Sequence, residues 1–420
     1  MKFAEFKLDT RLLASVDKAG FETPTPIQEQ TIPLALAGRD VLGLAQTGTG
    51  KTAAFLLPIL QRLSSGPKHG IRALILAPTR ELADQIHAAS VEFAGSTGIR
   101  SLVMYGGVSK IPQLAALKRG CEIVIACPGR LLDHIGERAI DLSNVETLVL
   151  DEADRMFDMG FLPDVRRIIS RVPTKRQNLF FCATMPKEIQ SLADQVLRNA
   201  EKVQIGIIAP ANTVSHALYP VTSDRKKDLL FSLLDQTPKE RVLIFTRTKH
   251  RARGLATSLE KRGYRVAALQ GNMSQNARQR SISGFRDGQY DLLVATDIAS
   301  RGIDVSEISH VINYDIPDTV DAYIHRIGRT GRVERSGEAF TLAVKEDAAM
   351  VRDIEKVLRS PIERRRLEGF DYHHDSSTEP RVAVETHGTS NGNGNRRNVG
   401  PRLNSRSRGS RTGKKSAGAR

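Results

Sequence analysis

Short uninterrupted apolar runs punctuate the chain: RALILA (72–77), EIVIA (122–126), TLVLD (147–151) and NLFF (178–181), then RVLIFT (241–246), DLLVAT (291–296) and HVINYD (310–315). None alternates with polar residues, which is the mark of strands buried on both faces, and the intervals between them leave room for crossover helices. The pattern predicts a parallel α/β architecture. It lapses in GIIAPANTV (206–214), a Gly/Pro/Asn stretch without helical period. That lapse is read as a linker over 207–215, between a first domain at 1–206 and a second at 216–370. Beyond about residue 371 the aliphatic positions thin out, and 371–420 has too little apolar surface to offset the entropy of ordering it. A disordered tail is expected there.

Charge adds a partner to this picture. Lys and Arg number 62 against 47 Asp and Glu, a formal +15, and 371–420 alone holds ten basic residues against four acidic ones. Such an excess points to a polyanion, nucleic acid before an anionic membrane surface. No stretch approaches the roughly 20 apolar residues of a spanning helix, and the opening MKFAEFKLDT has no signal-peptide apolar core. Cys121, Cys127 and Cys182 are too few and too strand-like in setting for a disulfide framework or a zinc cluster. A cytoplasmic protein is expected.

The first candidate chemistry lies in AQTGTGKT (45–52), between the strand-like VLGL and the helix-like AAFLLPILQRL. Thr47, Gly48, Thr49 and Gly50 form a tight turn whose amides can face a phosphate, at a helix N-terminus that adds positive potential. Lys51 would reach the β- and γ-phosphates and Thr52 would ligate Mg²⁺. Position 45 is Ala where the general P-loop pattern has Gly, and a plain glycine-rich turn is the competing reading. LVLDEAD (148–154) then supplies carboxylates at a strand end: Asp151 to hold the metal through water, Glu152 to orient and deprotonate the attacking water. Acidic residues also start helices for dipole reasons alone. Two motifs in this order, each at a strand end, favour ATP chemistry, and no guanine-reading N-K-x-D or T-K-x-D occurs.

These two motifs, together with GFETPTPIQ (20–28), PTREL (78–82), GG (106–107), CPGR (127–130), CAT (182–184), IFTRTK (244–249), QGNMSQNAR (270–278), ATDIASRGID (295–304) and HRIGRTGR (325–332), resemble the DEAD-box ATP-dependent RNA helicases. The resemblance covers nearly the whole body of the chain, and in that family Ala at position 45 is usual. It implies two tandem RecA-like parallel-sheet domains that use ATP and Mg²⁺. It also implies that Gln28 reads adenine, that Phe3 stacks on the base (a packing role on the first helix being the alternative), and that Asp304 contacts the ribose. Arg329 and Arg332 would be arginine fingers reaching the γ-phosphate across the cleft, with His325 and Arg326 tying back to the first domain. Thr79, Arg80, Gly107 and Arg130 in the first domain, and Arg247, Gly271, Gln275, Arg278 and Thr296 in the second, would touch RNA along its sugar-phosphate path. Binding of that kind is sequence-independent and salt-sensitive.

Within CAT the family usually has Ser where this chain has Cys182, and the resemblance implies that this position and Thr184 couple hydrolysis, through Asp154, to strand separation. Cys127 likewise stands where the family usually has Thr. A thiol is a weak donor, so a softer link is expected, with inert packing favoured over redox sensing. The short basic tail, TRTKH (246–250) and DRMFDMGFLPDVRRI (154–168) are similar to the bacterial RhlE-type helicases. The expected activity is RNA-stimulated ATP hydrolysis driving local, non-processive separation of short duplexes or remodelling of RNA–protein complexes. An ATP-gated RNA clamp or annealing chaperone is the alternative. A monomer is expected, acting without a membrane on ribosomal-precursor or mRNA-decay complexes, its tail a flexible tether to RNA or merely a solubilising segment.

Overall fold

The computed structural model describes residues 1–45, 48–66, 70–205, 214–237, 241–297, 308–330 and 337–372. Fourteen strands are found among them. The first seven are β1 (Val41–Leu44), β2 (Ala73–Leu76), β3 (Ser101–Met104), β4 (Ile123–Ala126), β5 (Thr147–Leu150), β6 (Gln177–Cys182) and β7 (Glu201–Gln204). They form one parallel sheet in the order β3-β4-β2-β5-β6-β1-β7. The second sheet is made of β8 (Val214–Pro220), β9 (Val242–Phe245), β10 (Val266–Leu269), β11 (Leu292–Ala295), β12 (His310–Asn313), β13 (Gly337–Ala343) and β14 (Glu363–Arg364), in the order β10-β11-β9-β12-β13-β8-β14. It too is parallel throughout. We call the part built on each sheet a half.

The apolar runs of the sequence coincide with β2, β4, β5, β6, β9, β11 and β12, and their lack of alternation has a direct cause. Helices cover both faces, so neighbouring residues enter different cores: Phe181 packs with Phe55 on one side of β6, while Phe180 and Cys182 join Leu148 and Leu150 on the other. Strands without such runs are of another kind. β3 alternates half-buried with buried positions, and at the sheet edge β7 buries only Val203. β8 begins at Val214, so its first two residues lie in the segment that the sequence assigns to the linker. Most of that segment, and the tail from 373, lie outside the described residues.

Helices start where the strands end, and their caps come from the motifs. Thr79 accepts a hydrogen bond from Leu82 N at 3.2 Å at the head of helix Arg80–Ala94. Thr248, Ser274 and Thr319 cap helices Lys249–Glu260, Gln275–Arg286 and Val320–Ile327 in the same way. A short polar side chain that satisfies an orphan amide fixes where each helix begins. The motif residues are thereby gathered outside the carboxyl ends of the strands, where open parallel sheets bind ligands.

Candidate functional site

β5, β6 and β1 are neighbours, and their carboxyl ends deliver Asp151, Cys182 and the glycine-rich turn side by side. Ala45 N donates to Cys182 O at 3.1 Å, extending the β1–β6 ladder into the turn. The buried Lys51 donates from Nζ to Ala45 O at 2.8 Å. Gly50 has φ 93° as the residue before helix Lys51–Ser64, a conformation that other residues resist. A Cβ there would also fall 2.4 Å from Gln28 Nε2. Gln28 and Thr25 brace this turn from helix Pro26–Leu36: Gln28 Nε2 donates to Gly50 O at 3.1 Å and Thr25 Oγ1 to Thr49 O at 2.8 Å. Gln28 Oε1 accepts from Thr25 N at 2.9 Å, so both ends of the amide expected to read adenine are engaged with protein. Phe3 is buried, with edge contacts to Phe6 and Phe21 at centroid distances of 5.9 and 6.1 Å, the packing arrangement weighed against base stacking. Gly48 is exposed and Thr52 half-buried, while Thr47 lies outside the described residues.

The acidic turn is buried and strained. Asp151 is 2 % exposed, its Oδ1 has no hydrogen-bond partner among the described residues, and burial pushes its carboxyl up to about 7 against the pull of Lys51. Glu152 adopts φ 52° and ψ 51°, left-handed for a residue with a Cβ, so its side chain departs in a different direction from that of Asp151. Glu152 Oε2 accepts from Arg155 Nη1 at 2.6 Å, with both side chains 4 % exposed. Asp154 turns towards β6: its Oδ2 accepts from Ala183 N (3.0 Å), Thr184 N (2.8 Å) and Thr184 Oγ1 (3.1 Å). The expected tie between Thr184 and the acidic motif is therefore a geometric fact. The Cys182 thiol is fully buried and makes no hydrogen bond among the described residues; burial, then Asp154, pushes it far above its usual range. Burial likewise raises Cys127 to about 12 and Cys121 to about 11, which leaves neither thiol reactive near neutrality.

Facing this turn from the second half is helix Val320–Ile327 and the residues after it. His325 is held at about 4 by burial and then by Arg155, with Asp154 and Glu152 opposing. Arg326 behaves otherwise than expected, because its hydrogen bonds stay within its own half. Nε and Nη2 reach the two Asp297 oxygens at 2.6 Å each, and Nη1 reaches Asn313 Oδ1 at 3.1 Å and Asp315 O at 2.6 Å. It ties the end of β12 to the segment after β11. Arg329 is 5 % exposed and, with Arg155, Asp158, Asp297, His325 and Arg326, lines a cavity of about 260 Å³ between the halves. Arg332 and Asp304 lie outside the described residues.

A second cavity, of about 460 Å³, is lined by Thr79, Arg80, Arg130, Gly271 and Arg278 among others, which places five of the expected RNA contacts on one path. Two of these already have partners across the halves. Arg278 Nε and Nη2 meet Glu81 Oε1, each at 2.7 Å, and Arg80 Nη1 donates to Gln275 Oε1 at 3.3 Å. Arg130 donates from Nη2 to Val108 O at 3.0 Å and its Nε lies 3.6 Å from Asp133 Oδ2, while Nη1 and Gln275 Nε2 are buried without a hydrogen-bond acceptor among the described residues. Gly107, at φ 75°, lets Arg80 pass, since a Cβ would fall 2.3 Å from its Nη1. Thr296 is buried beside Leu269, and the half-exposed Arg247 is fixed through its backbone N on Asp315 Oδ2 at 2.9 Å. Glu81, Arg155 and Asp315 are the residues that motif reading missed; the only sequence signal for each was a charge at the end of a buried strand or inside a known motif.

Comparison with known proteins places these features in a lineage. Residues 25–192 match the DEAD/DEAH box helicase family and residues 225–334 the helicase conserved C-terminal domain family. The chain is similar to the ATP-dependent RNA helicase CshA of Listeria monocytogenes, 42 % identical over 359 residues, spanning 85 % of this chain and 69 % of the relative. It is similar to the ATP-dependent RNA helicase DeaD of Mycobacterium tuberculosis, 44 % identical over 367 residues, spanning 87 % and 65 %. Among solved structures, S. cerevisiae Dbp5 bound to RNA and ADP BeF3 superposes with a TM-score of 0.77 at 30 % identity, over 87 % of this chain and 95 % of that one.

Proposed function

We propose a residue-level division of labour for this chain, which belongs to the DEAD-box family of ATP-dependent RNA helicases. It is an enzyme that couples ATP hydrolysis, to ADP and phosphate, to work on RNA. Lys51 gives up Ala45 O for the β- and γ-phosphate oxygens, and the amides of Gly48, Thr49 and Gly50 cradle them. The observation that carries the reading is the buried Oδ1 of Asp151 near Lys51, without a hydrogen-bond partner among the described residues. An oxygen acceptor there, with the Thr52 hydroxyl, suits Mg²⁺, which keeps its waters and relies on one or two protein oxygens plus substrate phosphates. When bound, the metal neutralises charge on the phosphates. Glu152 orients the attacking water and takes its proton as the oxygen bonds to the γ-phosphorus and the bond to ADP breaks.

Arg329 and Arg332 would stabilise the charge that develops, a contribution of about 4 to 7 kcal/mol for a well-placed arginine. Because Arg329 belongs to the other half, hydrolysis depends on closure of the domains read at 1–206 and 216–370, which the linker read at 207–215 joins. On the strand side, Arg130 Nη1 and Gln275 Nε2, without acceptors among the described residues, would meet phosphate or ribose oxygens. The similarity to Dbp5 bound to RNA and ADP BeF3 supports assigning the same two classes of ligand here. Phosphate contacts do not read bases, so binding is sequence-independent, and a cycle in which closure opens a duplex and hydrolysis releases the strand makes the opening local and non-processive. The short basic tail and TRTKH support an RhlE-type subgroup, whereas the relatives above carry CshA and DeaD names. We assign a cytoplasmic monomer acting on ribosomal-precursor or mRNA-decay complexes, with the tail as tether.

The test is phosphate release with and without RNA, read beside release of a short labelled strand. Glu152→Gln should abolish RNA-stimulated hydrolysis while retaining ATP-dependent RNA binding. Strand release at full rate with a non-hydrolysable analogue over many cycles would instead mark a clamp.

A further inference from the structure

Arg155 has no part in the division of labour above, yet it stands at the junction of the halves. Its side chain is 4 % exposed, and a charge so buried requires a partner. That partner is Glu152, three residues back, at 2.6 Å. The pairing is possible because Glu152 is left-handed and stands before helix Ala153–Asp158, so its carboxylate folds over the first turn to meet Arg155. Further neighbours of Arg155 come from both halves. It lines the cavity of about 260 Å³ together with Asp158 of its own half and with Phe245, Asp297, His325, Arg326 and Arg329 of the second. The low value of His325, to which Arg155 contributes most after burial, reflects the same closeness.

We propose that Arg155 is a positioning residue that orients Glu152 towards the attacking water only while the second half is docked. With the halves apart, the Arg155 side chain faces solvent, and an exposed Arg–carboxylate pair holds its geometry weakly. Docking withdraws water from the guanidinium, which strengthens the pair in the lower dielectric and fixes the rotamer of Glu152. One carboxylate oxygen is occupied by the arginine, and the other is directed by it. Closure driven by ATP and RNA is thus communicated to the general base through one side chain of the first half, separately from the arrival of Arg329 at the γ-phosphate.

The inference rests on Glu152 as the base, which Glu152→Gln examines independently: a variant still hydrolysing ATP removes that reading whatever Arg155 does. For Arg155 itself the full chain is compared with Arg155→Met and Arg155→Lys. Arg155→Met should lower kcat of RNA-stimulated hydrolysis about 10- to 100-fold, the range expected when a catalytic group is displaced by about 1 Å. The KM for ATP, the RNA half-saturation and the energy transfer between dyes on the two halves, with RNA and a non-hydrolysable analogue, should stay within about twofold. Arg155→Lys should recover part of kcat, because the charge returns without the planar fork. Unchanged kcat in Arg155→Met would overturn the proposal. So would loss of closure in the energy-transfer measurement, which would make Arg155 an interdomain clamp. Equal losses in Arg155→Met and Arg155→Lys, accompanied by a matching fall in Tm, would reduce it to a structural residue.

Discussion

Glu81→Gln tests whether the halves are latched through the strand-binding face. Glu81 and Arg278 meet at 2.7 Å across the halves, with side chains 7 % and 10 % exposed. The substitution keeps shape and removes charge, leaving the arginine buried without its carboxylate whenever the halves close. Breaking such a pair costs about 3 to 5 kcal/mol in full burial; with a tenth of the guanidinium still wet, about 2 to 3 kcal/mol is reasonable. The pair exists only in the closed form, so the penalty falls on closure: roughly 30- to 150-fold in its equilibrium constant at 1.4 kcal/mol per decade. RNA-stimulated phosphate release would show this as a higher RNA concentration at half-maximal rate, by up to that factor, with kcat at saturating RNA within about threefold. The expected role of Arg278 on RNA predicts something different. If its guanidinium neutralises a phosphate, Arg278→Gln would flatten the plot of log affinity against log salt by about 0.7, whereas a latch leaves the slope alone. Anisotropy titrations of labelled RNA between about 50 and 200 mM salt discriminate the two. A flattened slope for Arg278→Gln together with unaltered RNA half-saturation for Glu81→Gln would refute the latch.

Thr184→Ala removes one of three hydrogen bonds to Asp154 Oδ2 while the backbone donors remain. A cost of about 1 to 1.5 kcal/mol follows, and strand release per ATP should drop about tenfold with hydrolysis nearly intact, measured in parallel on one sample. Cys182→Ser should keep or improve that ratio, and the native protein should leave all three thiols unlabelled by a thiol reagent near neutral pH, since each is buried and raised. His325 falls from 6.5 to about 4 on burial, so the unfolded chain binds more protons than the folded one between those values. Its contribution to stability is present above pH 6.5 and is lost as pH falls towards 4. The Tm of the native protein should therefore fall more steeply than that of His325→Gln over this window; parallel curves would show that the buried imidazole is not the cause.

The sheets were legible because continuous apolar runs such as TLVL and NLFF are what double-sided burial demands. β7 and β8 were not, since an edge strand needs little apolar surface and VSHALYP reads as irregular on its own. The chemistry was legible wherever function requires a fixed local spacing: the glycine-rich turn before Lys51, or Asp151 and Glu152 at the end of β5. Arg155 escaped notice because its meaning depends on the sign of φ at Glu152, which no spacing encodes. Arg326 looked like an interdomain tie for a related reason. Only the tertiary fold reveals that Asp297 and Asn313 saturate its guanidinium first.

The left-handed Glu152 stores backbone strain at a residue whose carboxylate also holds a buried arginine. An L-residue held at φ 52° carries a conformational cost of about 1 to 2 kcal/mol that glycine would not. Glu152→Gly should therefore give a chain whose backbone is more at ease and whose chemistry is gone. That relief is outweighed, because the variant would leave Arg155 buried without its carboxylate, at a cost of about 3 to 5 kcal/mol, so it should lose stability as well as activity. The strain is held in place by the fold around it, with β5 on one side and the Arg155 pair on the other. The acid proposed as the general base thus sits where the polypeptide itself would rather have no side chain.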